Sequence, residues 1–106
     1  MSTFHEYADF DAVGLAELIR SGEVSASEVI ETAISRAEDF QKICNGFVST
    51  DFESARTAAT TAGAGPFAGV PFAVKDLWLE WAGAPHGAGS RFTRDMRHTA
   101  DSPLAP

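Results

Sequence analysis

The sequence predicts an α/β fold in which helices pack on a short sheet. Helical periodicity dominates Asp9–Ala62, where apolar residues recur every three or four positions. Two short runs of β-favouring residues, Phe47–Ser49 and Gly69–Leu77, are typical of strands. Two helices, a strand, a helix and a strand therefore follow one another, which is the order expected when helical crossovers pack on a sheet.

The first two helices have clear start and stop signals. In the first helix the apolar residues share one face from Ala12 to Ile19, and Gly22 is expected to end it. Ser25 and Glu28 have the spacing of a capping box, and a long amphipathic stretch follows them. The sequence therefore predicts that the second helix begins at this point and is the longest of the chain.

The third helix is predicted from a second capping-box spacing, between Thr50 and Glu53. It follows Asn45-Gly46, which is expected to break the second helix. Cys44 precedes this break, and its apolar neighbour Ile43 predicts a buried thiol. The residues expected on the buried side of the third helix are Phe52, Ala55, Ala59 and Ala62.

The charge balance is acidic, because 8 Lys and Arg stand against 15 Asp and Glu, which gives a net charge of −7. The whole excess falls in Met1–Ala62, where the charges are most simply a solvated helix surface. Such a balance argues against a nucleic-acid partner. The sequence shows no apolar segment of membrane-spanning length and a single cysteine, so a cytoplasmic location without a membrane partner is expected.

Gly69–Leu77 is the most apolar run of the chain, and it places Lys75 directly after three apolar residues. Burying a charged amine is costly unless the amine is paired or neutral. Two interpretations therefore stay open from the residues alone. Lys75 either ends a strand and reaches solvent or a carboxylate such as Asp76, or it is a buried amine kept neutral for use as a base.

Three stretches together resemble the beginning of the amidase signature family: Gly65–Leu77 (GPFAGVPFAVKDL), Ala82–Pro85 (AGAP) and Ala88–Ser90 (AGS). The resemblance runs from about Asp11 to the last residue, and GVPFAVKD is its most specific part. Within that family, GPFAGVPF and GSR look most like the enzymes that act on linear or cyclic oligoamides such as aminohexanoate dimers.

The resemblance implies an enzyme that hydrolyses a carbon–nitrogen amide bond through a Ser–cis-Ser–Lys triad. It implies the N-terminal portion of a three-layer α/β/α fold with a mixed sheet. Lys75 occupies the family's lysine and is the one catalytic residue implied for this chain. As a neutral amine it would take a proton from the bridging serine. The implied partner is a small-molecule amide substrate of the full-length form, and no cofactor or metal is implied.

Two neighbours of this motif are expected to be structural. Asp76 is expected to point away from Lys75 and to accept backbone N–H groups in the following loop. Ser90 lies in a Gly-Ser pair, but the family motif does not place the nucleophile there, so a structural role is expected.

The sequence supports other kinds of site less well than the Lys75 motif. The glycines of Gly83–Ser90 do not form a phosphate loop, because no Lys precedes Ser90 and no helical run follows it. An anion site on the row of Arg91, Arg94 and Arg97 stays open as an alternative. The three histidines (His5, His86 and His98) lack metal-ligand spacing, and Cys44 has no thiol partner.

Asp101–Leu104 has the signals of a helix start close to the last residue, so we expect the N-terminal segment of a longer amidase domain. Its expected parts are an arm (1–8), helices with one short strand (9–62), and the Lys75 strand with the glycine-rich loop (63–106). No part resembles the family's nucleophile segment, so the chain alone is expected to be inactive. An unpaired strand edge would favour loose packing or self-association into a homo-oligomer. The alternative function is a non-catalytic binding or assembly module.

Overall fold

The computed structural model describes residues 4–76, 79, 81–85, 87–93 and 95–103 of the chain. These residues form a short 3₁₀ helix (His5–Asp9) and three α-helices: α1 (Ala12–Ser21), α2 (Ala26–Cys44) and α3 (Phe52–Thr60). All three predicted helices are therefore confirmed. Within the described ranges no residue belongs to a β-strand, so the structure is that of a small helical fragment.

The limits of α1 follow from local hydrogen bonds. The Asp11 carboxylate accepts the Gly14 N–H at 2.8 Å and caps the first turn. Gly22 ends the helix as predicted, with a φ of +81° that glycine adopts without steric cost. The helix buries Leu15 and Ala16, which are part of the small apolar core.

The capping box predicted for α2 is confirmed. The Ser25 hydroxyl accepts the Glu28 N–H at 3.1 Å, and the Glu28 carboxylate accepts the Ser25 N–H at 2.9 Å. The helix buries Val29 and Ile34 near its middle, and Asn45, with a φ of +48°, ends it in the left-handed conformation.

The prediction of a buried thiol at Cys44 is wrong, because this side chain is exposed. Its neighbour Ile43 is 83% exposed. Both residues lie in the last turn of α2, whereas the buried residues of this helix, Val29, Thr32 and Ile34, lie in its first half. An apolar neighbour in sequence therefore does not indicate burial at the end of a helix.

The start of α3 differs from the prediction by one residue. Its N-cap is Asp51, whose carboxylate accepts the Ser54 N–H at 3.1 Å and the Ser54 hydroxyl at 2.7 Å. The capping box predicted from Thr50 does not form, since the carboxylate of Glu53 is bound to the Arg56 guanidinium instead. The same guanidinium reaches α2, where its Nε lies 2.6 Å from Oε1 of Glu31.

The segment expected to be an arm contains a 3₁₀ helix that is attached to α2. The Phe4 N–H donates to the Thr32 hydroxyl over 2.9 Å, and Thr32 is buried. The Arg36 guanidinium lies 5.7 Å from the centre of the Tyr7 ring, which is a cation–π distance. These contacts hold the described part of the N-terminal segment against the longest helix.

The two predicted strands, Phe47–Ser49 and Gly69–Leu77, are absent from the described residues, which include all of these positions except Leu77. A strand is stabilised by hydrogen bonds to a neighbouring strand, and neither run has such a neighbour in the described part of the chain. Phe72 is accordingly 72% exposed instead of buried in a sheet. The start of the second run is nevertheless held in place, because Gly69 lies against Ile19 and Ala26 of the helices.

The chain divides into two compact units, Met1–Pro71 and Phe72–Pro106. The first unit contains the three α-helices and every described residue that is buried. The described part of the second unit consists of turns and irregular segments, with an antiparallel bridge between Pro85 and Arg97. The helix start predicted at Asp101–Leu104 reaches beyond the described residues, but the carboxylate of Asp101 accepts the Ala82 N–H at 2.8 Å.

None of the helices in the described part of the chain is long and apolar enough to cross a membrane.

Candidate functional site

Lys75, the predicted catalytic residue, lies in an irregular segment of the second unit, and its side chain is exposed. This structure does not contain the dry amine at the end of a buried strand, because the described residues around Lys75 form no strand. The ion pairs found among the described residues do not include Lys75. The structure therefore leaves Lys75 accessible and does not pair it with Asp76.

The carboxylate of Asp76 is bound to backbone N–H groups of the glycine-rich loop. Its Oδ1 accepts the Gly87 N–H at 3.1 Å, and its Oδ2 accepts the Gly89 N–H at 3.4 Å. This agrees with the structural role predicted for Asp76 in the loop. We call this pair of hydrogen bonds the Asp76 contact.

The loop that binds Asp76 contains a tight turn, Gly87–Ser90. The Ser90 N–H donates to the Gly87 carbonyl at 2.8 Å, and the two central residues, Ala88 and Gly89, have φ values of +45° and +71°. Positive φ at both central positions is typical of a type I′ turn. Asn, Asp and Gly are the usual residues there, so Ala88 holds an uncommon conformation.

Ser90 stabilises the same loop. Its hydroxyl accepts the Phe92 N–H at 3.2 Å, which agrees with the predicted structural role. Thr93 donates its hydroxyl to the Gly87 carbonyl at 2.5 Å and so fixes the turn from the other side. The roles of Thr93 and Gly87 were not predicted from the sequence, because neither a lone threonine nor one glycine among several gives a local signal.

The alternative sites receive no support from the geometry. Arg91 and Arg97 are exposed, and Arg94 lies outside the described residues, as does His86. The described residues contain no group of three His, Cys, Asp or Glu side chains placed to hold a metal ion. An open groove between the end of α2 and the start of α3, lined by Gln41, Phe47 and other residues, contains none of the candidate residues.

Comparison with known proteins identifies the class to which this chain belongs. The model of the Amidase family matches residues 28–105, which include Lys75, Asp76 and the glycine-rich turn. The chain is therefore a member of the Amidase family, as the resemblance in GVPFAVKD indicated.

Individual relatives support this assignment. The chain is 46% identical over 82 residues to the protein named "Putative amidase AmiC" of Mycobacterium leprae, covering 77% of this chain and 17% of that protein. It is 35% identical over 91 residues to the 6-aminohexanoate-cyclic-dimer hydrolase of Paenarthrobacter ureafaciens, covering 86% and 18%.

A third relative, from Salinispora tropica, is named as one of the subunits of glutamyl-tRNA(Gln) amidotransferase. It is 36% identical over 107 residues, which cover 93% of this chain and 22% of that protein. The chain thus spans about a fifth of the length of the relatives it matches.

Proposed function

We propose that this chain forms the N-terminal part of an amidase that hydrolyses a carbon–nitrogen amide bond, and that Lys75 is the general base of a Ser–cis-Ser–Lys triad. The observation that carries this proposal is the family match across residues 28–105, in which Lys75 stands in the Val-Lys-Asp motif. We propose further that these residues belong to a three-layer α/β/α fold, in which Val70–Val74 becomes a strand once a neighbouring strand is present.

The proposed chemistry assigns one proton transfer to Lys75. Its neutral amine accepts a proton from the bridging serine, which accepts one from the nucleophilic serine as that oxygen attacks the amide carbon. The carbon–nitrogen bond then breaks, the amine leaves with a proton, and water hydrolyses the resulting ester. An amine performs this role only when neutral, and burial favours the neutral form. The exposed Lys75 of this structure must therefore be covered by other parts of the protein during catalysis.

The proposed substrate is a small-molecule amide, and an oligoamide is the class that two of the relatives' names suggest. The Paenarthrobacter relative and a protein of Pseudomonas sp. (strain NK87) are both named 6-aminohexanoate-cyclic-dimer hydrolase. We propose a cytoplasmic enzyme without a nucleic-acid, membrane or cofactor partner, and a homo-oligomer as its assembly. Because no part of the sequence resembles the segment that carries the family's two catalytic serines, the chain alone should not hydrolyse amides.

A hybrid enzyme tests the role of Lys75. In the hybrid hydrolase, this chain replaces the matching N-terminal segment of the Paenarthrobacter enzyme, and hydrolysis of the 6-aminohexanoate cyclic dimer is measured. Substitution of Lys75→Ala should lower kcat about 10²–10⁴-fold, the usual contribution of a general base.

The matched control is Lys42→Ala, at the other lysine of the sequence, which pairs on the surface with Asp39 and should leave kcat unchanged. Equal activity of the two variants would refute the proposed role. The 106-residue chain, assayed alone on simple aryl and alkyl amides, should show no turnover. Turnover that disappears in the Lys75→Ala chain would instead require a nucleophile inside this segment.

A further inference from the structure

We propose that Asp76 is a positioning residue for Lys75: its carboxylate binds the turn Gly87–Ser90 and so fixes the direction in which the lysine side chain leaves the backbone. The inference rests on the proposed role of Lys75 as the base. It adds to that site a second side chain and a turn that begins 11 residues further along the sequence.

Both oxygens of the Asp76 carboxylate take part in the Asp76 contact. One accepts the Gly87 N–H at 3.1 Å and the other accepts the Gly89 N–H at 3.4 Å. Hydrogen bonds to an ionised acceptor are stronger than those between neutral groups. Since a carboxylate held at both oxygens cannot rotate freely, the Asp76 backbone that carries it is also restrained.

The turn that receives the carboxylate is itself restrained by other hydrogen bonds. The carbonyl of Gly87 accepts the Ser90 N–H at 2.8 Å and the Thr93 hydroxyl at 2.5 Å. Gly87 is therefore bound through its N–H on one side and through its carbonyl on the other. Asp76 is thus attached to a turn whose shape is set independently of Asp76.

Close approach of the carboxylate explains why residue 87 is a glycine. A Cβ added at Gly87 would lie 2.5 Å from Oδ2 of Asp76 and 3.2 Å from its Cγ. Gly83 and Gly89, in contrast, have positive φ values and open space at the Cβ position. The glycine at position 87 is needed for the Asp76 contact, whereas those at 83 and 89 are needed for backbone conformation.

The restraint on Asp76 passes directly to Lys75, because the two residues share one planar peptide group and their Cα atoms are about 3.8 Å apart. The Lys75 amine does not take part in this restraint, since both carboxylate oxygens of Asp76 accept backbone N–H groups of the turn. A catalytic group must be held within about 0.5 Å of its working position. The Asp76 contact restrains the position of the Lys75 backbone in this way and leaves the Lys75 amine free to accept a proton.

The first experiment measures the restraint in the 106-residue chain itself by NMR. In Asp76→Asn one acceptor oxygen is replaced by a donor group, so only one of the two N–H groups can still be bound. Hydrogen exchange at Gly87 and Gly89 should accelerate about tenfold or more, because a charge-assisted hydrogen bond is lost. The residual dipolar coupling of the Lys75 N–H should fall towards zero, and an unchanged Lys75 coupling would refute the proposal.

The control for this measurement is Asp101→Asn in the same unit. Among the described residues, Asp101 accepts the backbone N–H of Ala82 through one oxygen, which an asparagine carbonyl can replace. This variant should leave the signals of Lys75, Gly87 and Gly89 unchanged. Gly87→Ala should reproduce the effect of Asp76→Asn, whereas Gly63→Ala, where an added Cβ meets open space, should not.

The second experiment measures the consequence for catalysis in the hybrid hydrolase. Misplacement of the base should lower kcat roughly tenfold to a hundredfold in Asp76→Asn and leave KM unchanged. Because Asp76→Asn and Gly87→Ala remove the same contact, the double variant should lose little more than either single variant.

The outcomes separate this inference from the proposed function. If Lys75→Ala abolishes turnover and Asp76→Asn keeps the full kcat, the positioning role of Asp76 is wrong, and the proposed role of Lys75 as the base still stands. If Lys75→Ala keeps turnover, the proposed function fails, and the positioning role, which depends on it, fails as well. Loss in both variants, with KM unchanged in Asp76→Asn and the Lys75 coupling reduced, supports both.

Discussion

At the scale of single residues, Asp51 is the cap whose strength depends on pH. The Ser54 hydroxyl, and to a lesser extent the Ser54 N–H, donate to its carboxylate and lower the pKa of Asp51 below its ordinary value of 3.8. Both donors favour the ionised form, because a carboxylate is the better acceptor. The N-terminus of α3 should therefore be sensitive to acid.

We predict that α3 loses stability at low pH, and that Asp51→Asn weakens this dependence. Because the pKa is lowered in the folded state, the stabilising effect is complete above 3.8 and is lost as the pH falls below that value. NMR chemical shifts of α3, followed from neutral pH to below 3.8, measure its helix content. Asparagine caps helices without titrating, so an equal acid transition in the variant would contradict the prediction.

Some of the contacts between residues three or four positions apart were predictable from the sequence. The capping box of Ser25 and the helix end at Gly22 are examples, since every partner lies on the same turn. The start of α3 was misplaced because Glu53 is bound by Arg56, which also contacts Glu31 of α2. A contact that links two helices has no signal in a local spacing.

At the scale of elements, the helices follow from periodicity, whereas the predicted strands do not form in the described part of the chain. A helix satisfies its backbone hydrogen bonds within its own segment, so Ala26–Cys44 needs no other part of the chain to complete them. A strand requires a neighbour. The composition of Val70–Val74 favours a strand, but composition alone does not provide the second strand.

We predict that Gly69→Ala destabilises the helical unit, because this glycine lies close to Ile19 of α1 and Ala26 of α2. Its φ of +83° is unfavourable for alanine, and an added Cβ would lie 2.8 Å from the Cβ of Ala26. The strain alone should cost about 1–3 kcal/mol. Urea unfolding followed by circular dichroism measures this loss.

Gly63→Ala is the matched control for this prediction, because an added Cβ at Gly63 meets nothing within 4 Å. Its free energy of unfolding should change little. If Gly69→Ala were as stable as Gly63→Ala, the close approach of Gly69 to α1 and α2 would not be a feature of the protein in solution.

At the scale of the whole molecule, burial is concentrated in the first unit. Its core consists of Leu15, Ala16, Val29 and Ile34, and Val29 is fully buried. Every described residue of the second unit is at least partly exposed. The sequence predicted a buried run at Gly69–Leu77, but none of its described residues, 69–76, is buried. Apolar composition indicates which residues can be buried, but it does not supply the residues that cover them.

We predict that amide hydrogen exchange will differ sharply between the two units. Slow exchange requires hydrogen-bonded amides that water cannot reach, and the middle of α2, around Val29 and Ile34, meets this condition. The described residues between positions 72 and 103 lie in turns and irregular segments with exposed or half-buried side chains, so their amides should exchange much faster. Mass spectrometry of exchange on the 106-residue chain, with peptides from each unit, makes the comparison directly.

Within the second unit, the Gly87 and Gly89 amides should be the slowest, because the Asp76 carboxylate binds them. Equal protection of residues 72–103 and of α2 would mean that the second unit has a buried core, and would contradict its description as a set of hydrogen-bonded turns.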